Sequence, residues 1–306
     1  MEKITGCRIY NWYRNMDCCQ NKELYVRNKH GRMGIDMKTI SLLNLKGGVA
    51  KSFSAVNIAY ELWRRGCRVL VWDNDKQGNL SKAFGRYDAG QTAPVTRILS
   101  GDWQRPEKLI QPTDYEGMDI LTSNLSLFGA SFGLLAGEQD GQAERYQRFL
   151  AAEAEERGKT IADKYDYCII DNPPDIGINV VNALAVTDEV IVPVKIDEHA
   201  LEGLDTVAEQ IADARVFNPS LALKGILITV YQNTDGESAG LEWLRQEWDN
   251  AKSKNYRRYP ILGVIRYSGK VAENSFVRKP IYEYSPCCAA AQDYKKFVSS
   301  YTGIGR

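Results

Sequence analysis

The chain has 306 residues, enough for one large α/β domain or two small ones. Its share of hydrophobic residues, 44%, and of charged residues, 25%, is that of an ordinary soluble globule. Lys plus Arg equals Asp plus Glu, so bulk charge names no partner, and any nucleic-acid reading must rest on where the charge lies. No run approaches the roughly 18 apolar residues of a membrane span. The N-terminus lacks the apolar core of a signal peptide, so a cytoplasmic protein is expected. The cysteines, at 7, 18, 19, 67, 168, 287 and 288, form no C-x-x-C pair, and the histidines are His30 and His199. Reduced cytosolic thiols are therefore expected rather than a zinc site.

Residues 1–36 carry seven Lys/Arg against four Asp/Glu and three of the cysteines, with no helical or strand period. They read as an N-terminal extension, either flexible or an artefact of where the coding frame was opened. The fold is expected to start at Met37 and to occupy 37–306. From Thr39 short apolar runs alternate with helical patterns. "TISLLN" is a buried strand, and "NLKGGVAKS" follows it. "KSFSAVNIAYELWRRG" has Phe53, Val56, Ala59 and Leu62 at three-residue steps and Gly66 as a stop, which predicts a helix. "CRVLVWD", "MDILTS", "YDYCIID", "EVIVPV", "GILITV" and "LGVI" are further strands, without strict alternation, as expected of strands covered on both faces. "LEGLDTVAEQIADARV" and "LEWLRQEWDNAKSKN" predict helices among the later ones. The repeated alternation predicts a doubly wound, mostly parallel α/β sheet flanked by helices.

The loop at 44–52 departs from the phosphate-binding pattern G-x-x-x-x-G-K-[ST], because Leu45 and Ala50 stand where glycines are required. Its place, after a buried strand and at the start of a helix, is nonetheless what phosphate binding needs. Backbone N–H groups and the positive end of a helix face an anion there. Gly47 and Gly48 allow close backbone approach, Lys51 reaches the β- and γ-phosphates, and Ser52 offers a hydroxyl to Mg²⁺. Asp73 and Asp75 end the second strand and Asp171 another, and ligands of such sheets bind at the carboxyl ends of strands. Each aspartate alone is more often a solvated loop residue; their convergence is the signal.

These residues carry a resemblance. "KGGVAKS" resembles the deviant Walker A loop K-G-G-x-x-K-[ST] of the ParA/MinD class of P-loop ATPases. "DNDKQGN" resembles the D-x-D-P-Q-x-N motif of ParA-type partition ATPases, and "DNPPDIG" is similar to their Walker B segment. "VIVPVKIDEHALEGLDTV" and "KVAENSFVRKPIYEYSP" resemble later segments of the family in the same order, so the likeness runs from about Met37 to Tyr301. The resemblance implies ATP/ADP and Mg²⁺ as cofactors, and slow, partner-stimulated hydrolysis. It makes Lys46 the signature lysine that reaches a partner's nucleotide across an ATP-dependent homodimer, an arginine-finger-like role. Nucleotide would be held by Lys46, Gly47, Gly48, Val49, Ala50, Lys51, Ser52 and Phe53. Ser52 would ligate Mg²⁺ and Asp171 would hold it through water. Lys46, Lys51 and Asp75 would be catalytic, Asp75 positioning the attacking water; Asp73 is a weaker candidate for an outer role at the metal. Ala50 departs from the glycine of most relatives, tolerable if the backbone there is helical and resented if φ is positive. Lys76 for proline and Asn172 for threonine are milder departures.

The class divides by output. A C-terminal membrane helix needs a sustained apolar stripe, which "DYKKFVSSYTGIGR" lacks; Phe297, Val298 and Tyr301 are expected to pack a last helix on the body, so no membrane partner is expected. Cys287 and Cys288 are misplaced for an iron–sulfur cluster. The DNA reading has positive support: residues 252–279 hold eight Lys/Arg against one acid, Glu273, with Tyr256 and Tyr259 interleaved. A solvated helix end and loop is the plainer alternative. Lys270, Arg257, Arg258 and Arg278 are the expected DNA contacts. Lys270 falls where the family has a DNA-contacting arginine. Together these imply non-specific DNA binding, a nucleoid-associated place in the cytoplasm, a centromere-binding partner, and segregation of a plasmid, chromosome or mobile element. A MinD-like or cargo-positioning ATPase is the alternative.

Overall fold

The computed structural model describes residues 37–137, 141–197, 200–254 and 259–304. The extension at 1–36 lies outside them. One eight-stranded sheet organises the rest, in the order β3-β4-β2-β5-β1-β6-β7-β8. Its strands are β1 (Lys38–Leu42), β2 (Val69–Asp73), β3 (Gln111–Pro112), β4 (Met118–Leu121), β5 (Tyr167–Asp171), β6 (Glu189–Val194), β7 (Ala222–Tyr231) and β8 (Ile261–Arg266). All neighbours are parallel except β3 and β4. The seven strands expected from the sequence are all present. The two-residue β3 was not foreseen; it is too short to carry a period, and Pro112 is tolerated because the strand lies at the edge.

Eleven α-helices connect the strands among the described residues: α1 (Lys51–Arg64), α2 (Asn79–Ala83), α3 (Pro94–Ser100), α4 (Ser126–Ala136), α5 (Arg145–Leu150), α6 (Ile178–Val186), α7 (Ala200–Ala214), α8 (Asp235–Lys254), α9 (Gly269–Asn274), α10 (Ile281–Tyr284) and α11 (Ala289–Thr302). Alternate side chains divide between two cores. Ile40, Leu42, Ile191 and Leu227 join α1 and α11 on one face. Val190, Val192, Ile226 and Ile228 join α6 and α7 on the other. This two-sided burial is why the strands read as unbroken apolar runs.

Helix α1 ends where expected, with Gly66 at φ 86°. It buries far more than the stripe of Val56, Ala59 and Leu62: Ser54, Asn57 and Glu61 are also covered. The cover is the C-terminal part of the chain. The Asn57 Oδ1 accepts the backbone N–H of Ile281 at 3.0 Å, and the Ser54 and Tyr294 hydroxyls meet at 2.7 Å. Phe297 and Val298 are buried and Tyr301 is half-buried against the core, so α11 packs on the body as expected, with Tyr294, not singled out in the sequence, buried as well.

Candidate nucleotide site

Strands β1, β2 and β5 are adjacent, and their carboxyl ends meet at one place. Leu42 and Asp73 are both register partners of Asp171. The loop from Asn44 leaves β1 there and turns into α1. Asn44 is buried; its amide donates to the Pro193 carbonyl at 2.7 Å and its Oδ1 accepts the Lys46 N–H at 2.8 Å, which sets the entry to the loop. Lys51 folds beneath the loop, its Nζ donating to the carbonyls of Asn44 and Lys46 at 2.9 and 3.0 Å. Burial pulls its pKa down, while Asp171, Asp75 and Asp175 oppose that. Thr229 Oγ donates to the Val49 carbonyl at 3.1 Å and ties the loop to β7.

The loop leaves space for a ligand. A side chain added at Gly47 or Gly48 would meet nothing within 4 Å, so packing within the chain does not require glycine at 47. Gly48, at φ 75°, needs it for conformation. The first backbone bond of α1 runs from Ser54 N–H to the Ala50 carbonyl. The amides of Lys51, Ser52 and Phe53 are therefore those a helix N-terminus turns toward an anion. Ala50 itself has φ 58° and ψ 33°. This is the unfavourable outcome of the two considered for it. A left-handed alanine costs roughly 1–2 kcal/mol, which explains why the standard pattern has glycine at this position.

Asp73 and Asp171 are both buried. Asp73 accepts three hydrogen bonds: from the Ser81 hydroxyl and N–H at 2.6 and 2.7 Å, and from the Asp75 N–H at 3.2 Å. It braces the turn after β2, and burial still pushes its pKa up to about 7. Asp171 lacks such support. Burial, then Asp73, raises its pKa well above the ordinary carboxylate value. Ser52 faces it and eases the shift, but neither carboxylate oxygen has a partner at hydrogen-bond distance among the described residues. A buried carboxyl without donors, facing a serine hydroxyl and two other aspartates, fits a cation. Asp75 is buried beside it; its Oδ1 accepts the Gln77 N–H at 2.9 Å, leaving Oδ2 for a further contact.

Lys46 stands apart from this cluster, half exposed and ion-paired with Asp197. A buried asparagine network, missed in the sequence, backs the site. Asn74 donates to the Asn172 Oδ1 at 2.8 Å and accepts the Tyr146 hydroxyl at 2.7 Å, while Asn172 Nδ2 reaches the Leu42 carbonyl at 3.2 Å. Asn172 thus ties together the ends of β1, β2 and β5. Also missed was α4, beside the loops after β2 and β5, with Phe128 and Phe132 largely exposed. Its signal was available: no charged residue occurs from Ile120 through Gly137.

The expected DNA contacts divide. Arg257 and Arg258 lie outside the described residues. Lys270 pairs with Glu273 at 2.8 Å, Arg266 with Asp293 at 2.8 Å and Lys279 with Glu283 at 3.5 Å. Arg278 is exposed, with φ 56°. The local basic excess is smaller than the window 252–279 suggests, because Asp293 and Glu283 lie just beyond it.

A parallel sheet with a phosphate-type loop after its central strand, and acidic residues ending the strand beside it and the next one out, defines a P-loop ATPase fold. The family described as "AAA domain" matches residues 37–223. The chromosome partitioning protein ParA of Myxococcus xanthus is 33% identical over 211 residues, covering 68% of this chain and 70% of that protein. The sporulation initiation inhibitor protein Soj of Bacillus subtilis is 30% identical over 269 residues, covering 88% and 99%. Among solved structures, cobyrinic acid a,c-diamide synthase from Mycobacterium smegmatis, with bound ATP analog and magnesium, matches at TM-score 0.69 and 28% identity, covering 87% of this chain and 94% of that one. The chain belongs to the ParA-type family of partition ATPases. No helix among the described residues is long and apolar enough to cross a membrane.

Proposed function

We propose that this protein is a Mg²⁺-dependent ATPase that forms a homodimer with ATP, binds DNA without sequence preference, and serves the segregation of a plasmid, chromosome or mobile element. The observation that carries the nucleotide part is the unpartnered Asp171 carboxylate facing Ser52 beside an open glycine loop. Backbone amides from Gly47 to Phe53 and the Lys51 ammonium hold the phosphates. Ser52 and, through water, Asp171 would hold magnesium, which would supply charge neutralisation at the phosphates. Asp75 accepts a hydrogen bond from the attacking water and orients it. Lys46 leaves Asp197 to reach the partner's nucleotide, so hydrolysis waits for dimerisation and for a centromere-binding protein that favours the productive pair.

DNA binding rests on the basic residues between 252 and 279. One subunit offers few phosphate contacts. A dimer presents two such faces to one duplex, and the second engagement becomes intramolecular, so nucleotide state gates DNA affinity without a new contact. Calorimetric titration tests the first part: Lys51→Ala abolishes ATP binding, and parental affinity in that variant removes the loop assignment. Asp75→Ala traps ATP and stays dimeric in sedimentation, while Lys46→Ala binds nucleotide but hydrolyses it poorly. A salt series tests the second part. With ATP, log affinity falls by about 0.9 per neutralised phosphate for each unit of log salt, and Lys270→Ala flattens that slope by about one. Absence of DNA binding with ATP at low salt leaves a cargo-positioning ATPase in its place.

A further inference from the structure

The segment that joins α3 to β3 builds a second concave site. Gly101, at φ 78°, ends α3; the Asp102 N–H returns to the Arg97 carbonyl at 2.9 Å, and the Arg97 Nε donates to the Asp102 carbonyl at 3.2 Å. Residues 106–109 then form a short 3-10 turn that opens on Pro106 and buries Leu109. Between these fixed ends lies a groove of about 450 Å³, lined by Arg97, Asp102, Trp103, Gln104, Arg105 and Lys108. None of them belongs to the nucleotide loop or to the turns carrying Asp75 and Asp171. Arg105 and Lys108 are exposed, with no hydrogen-bond or ion-pair partner for their side chains among the described residues. Glu107, the acid between them in sequence, accepts the backbone N–H of Glu155 and does not line the groove. A side chain added at Gly101 would stand 2.9 Å from the Arg145 guanidinium, so a further cation lies close by. Asp102 is the acid that lines the groove; its carboxylate is largely exposed and 3.9 Å from the Arg97 Nε. Trp103 is half-buried, edge to face with the buried Phe149 at 5.7 Å and 86°, which fixes the indole.

We propose that this groove binds a nucleoside monophosphate, free or at the end of a single nucleic-acid strand, at a site separate from that for ATP. Each part of such a ligand finds a counterpart. Two unpaired cations, one of them the planar guanidinium of Arg105, suit the phosphate. The indole of Trp103, held in place by Phe149 and still half exposed, is a platform on which a flat base stacks. The Asp102 carboxylate accepts hydrogen bonds from sugar hydroxyls, and the Gln104 amide offers a donor and an acceptor to the edge of a base. The volume lies within the roughly 300–1,000 Å³ of small-ligand pockets. Exposed cations on a surface are ordinarily just solvated; what sets this pair apart is its convergence with a fixed indole on one cavity. Duplex DNA is disfavoured, because its phosphates lie along a rod that cannot enter a concave site of this size. An acidic peptide is disfavoured because Asp102 would repel it and the indole would go unused.

The test is a calorimetric titration of the full chain with AMP, at low salt and without magnesium. AMP lacks the β- and γ-phosphates that the loop at 44–52 would hold, and Lys51→Ala controls for that loop. The parent and Lys51→Ala should bind one AMP per chain with equal affinity. A double variant, Arg105→Glu with Lys108→Glu, should bind AMP at least about tenfold more weakly, while its ATP hydrolysis and melting temperature stay those of the parent. Inorganic phosphate, with no ring to stack, should bind the parent at least about tenfold more weakly than AMP. A short 5′-phosphorylated single strand separates the two sources: AMP binding as tightly as the strand marks a free nucleotide, and a strong preference for the strand marks a chain end. No binding of either by the parent, parental affinity in the double variant, or loss of AMP binding in Lys51→Ala overturns the site. Phosphate that binds as tightly as AMP overturns it too, because the groove then holds a bare anion. Each of these failures leaves the ATPase reading intact, since that reading is tested with ATP at the loop.

Discussion

The ends of β2 and β5 lie side by side, in register, and each finishes in a buried aspartate. There the likeness stops. Asp73 is held by three donors from its own turn, and Asp171 by none at hydrogen-bond distance. The first carboxylate is satisfied within the fold and acts as a brace. The second has no such support, and burial favours its neutral form. The count of donors thus agrees with the ranking of Asp73 as the weaker site candidate and supports the proposal that Asp171 faces a ligand.

The strongest way to break this contrast is to neutralise each in turn. Asp171→Asn should lower ATP hydrolysis by at least about a hundredfold, a loss of some 2.7 kcal/mol in the transition state. It should also raise the melting temperature of the nucleotide-free protein, because a costly buried carboxyl is gone. Asp73→Asn should do the reverse, lowering stability by about 1–3 kcal/mol because the amide keeps only one accepting oxygen and turns an NH2 toward either the Ser81 donors or the Asp75 N–H, while retaining hydrolysis. Steady-state ATPase assays and calorimetric melting of both variants decide it; equal effects on the two quantities would erase the distinction.

A smaller effect sharpens it through pH. Asp73 keeps its proton in the folded state up to about 7 but loses it near 3.8 when unfolded. A folded pKa raised this way contributes stability below 3.8 that is lost as pH rises toward 7. Nucleotide-free protein should therefore melt at progressively lower temperature across that window, and Asp73→Asn should flatten the slope. At Asp171 the raised pKa means that Mg²⁺ must displace a proton. Magnesium affinity, read by thermal shift, should climb with pH, and Asp171→Asn should remove that climb. The smallest expected change is Ala50→Gly, which relieves the left-handed alanine and gains at most about 1 kcal/mol, since glycine's greater unfolded freedom offsets part of the relief.

Much of this was legible in the sequence. The seven strands showed because parallel strands covered on both faces need no alternation, only Val, Ile and Leu. The convergence of Lys51, Asp75 and Asp171 followed from strand ends alone. The sign of φ at Ala50 did not, because a backbone angle is set by the loop's closure and not by the residue. Nor did the difference between Asp73 and Asp171, which depends on Ser81 and on burial. The basic window 252–279 counted charge along the chain, whereas Arg266 and Lys279 find Asp293 and Glu283 outside it. Exposure of Phe128 and Phe132 on α4 was hidden for a related reason, since an uncharged helix reads as core until its neighbours are known.

The cover over α1 has a consequence for how the molecule comes into being. Ser54 and Asn57, on the helix that begins at Lys51, are closed over by Tyr294 and Ile281, 240 and 224 residues later in the chain. On a ribosome, the helix that begins at Lys51 is made early and stays uncovered until residues 281–298 have emerged. Contacts of such long sequence separation form slowly. During that interval an apolar helix stands open to association with other nascent chains or to capture by a chaperone. The finished α1 then records that α10 and α11 have arrived, so competence for nucleotide comes late in synthesis although its residues come early.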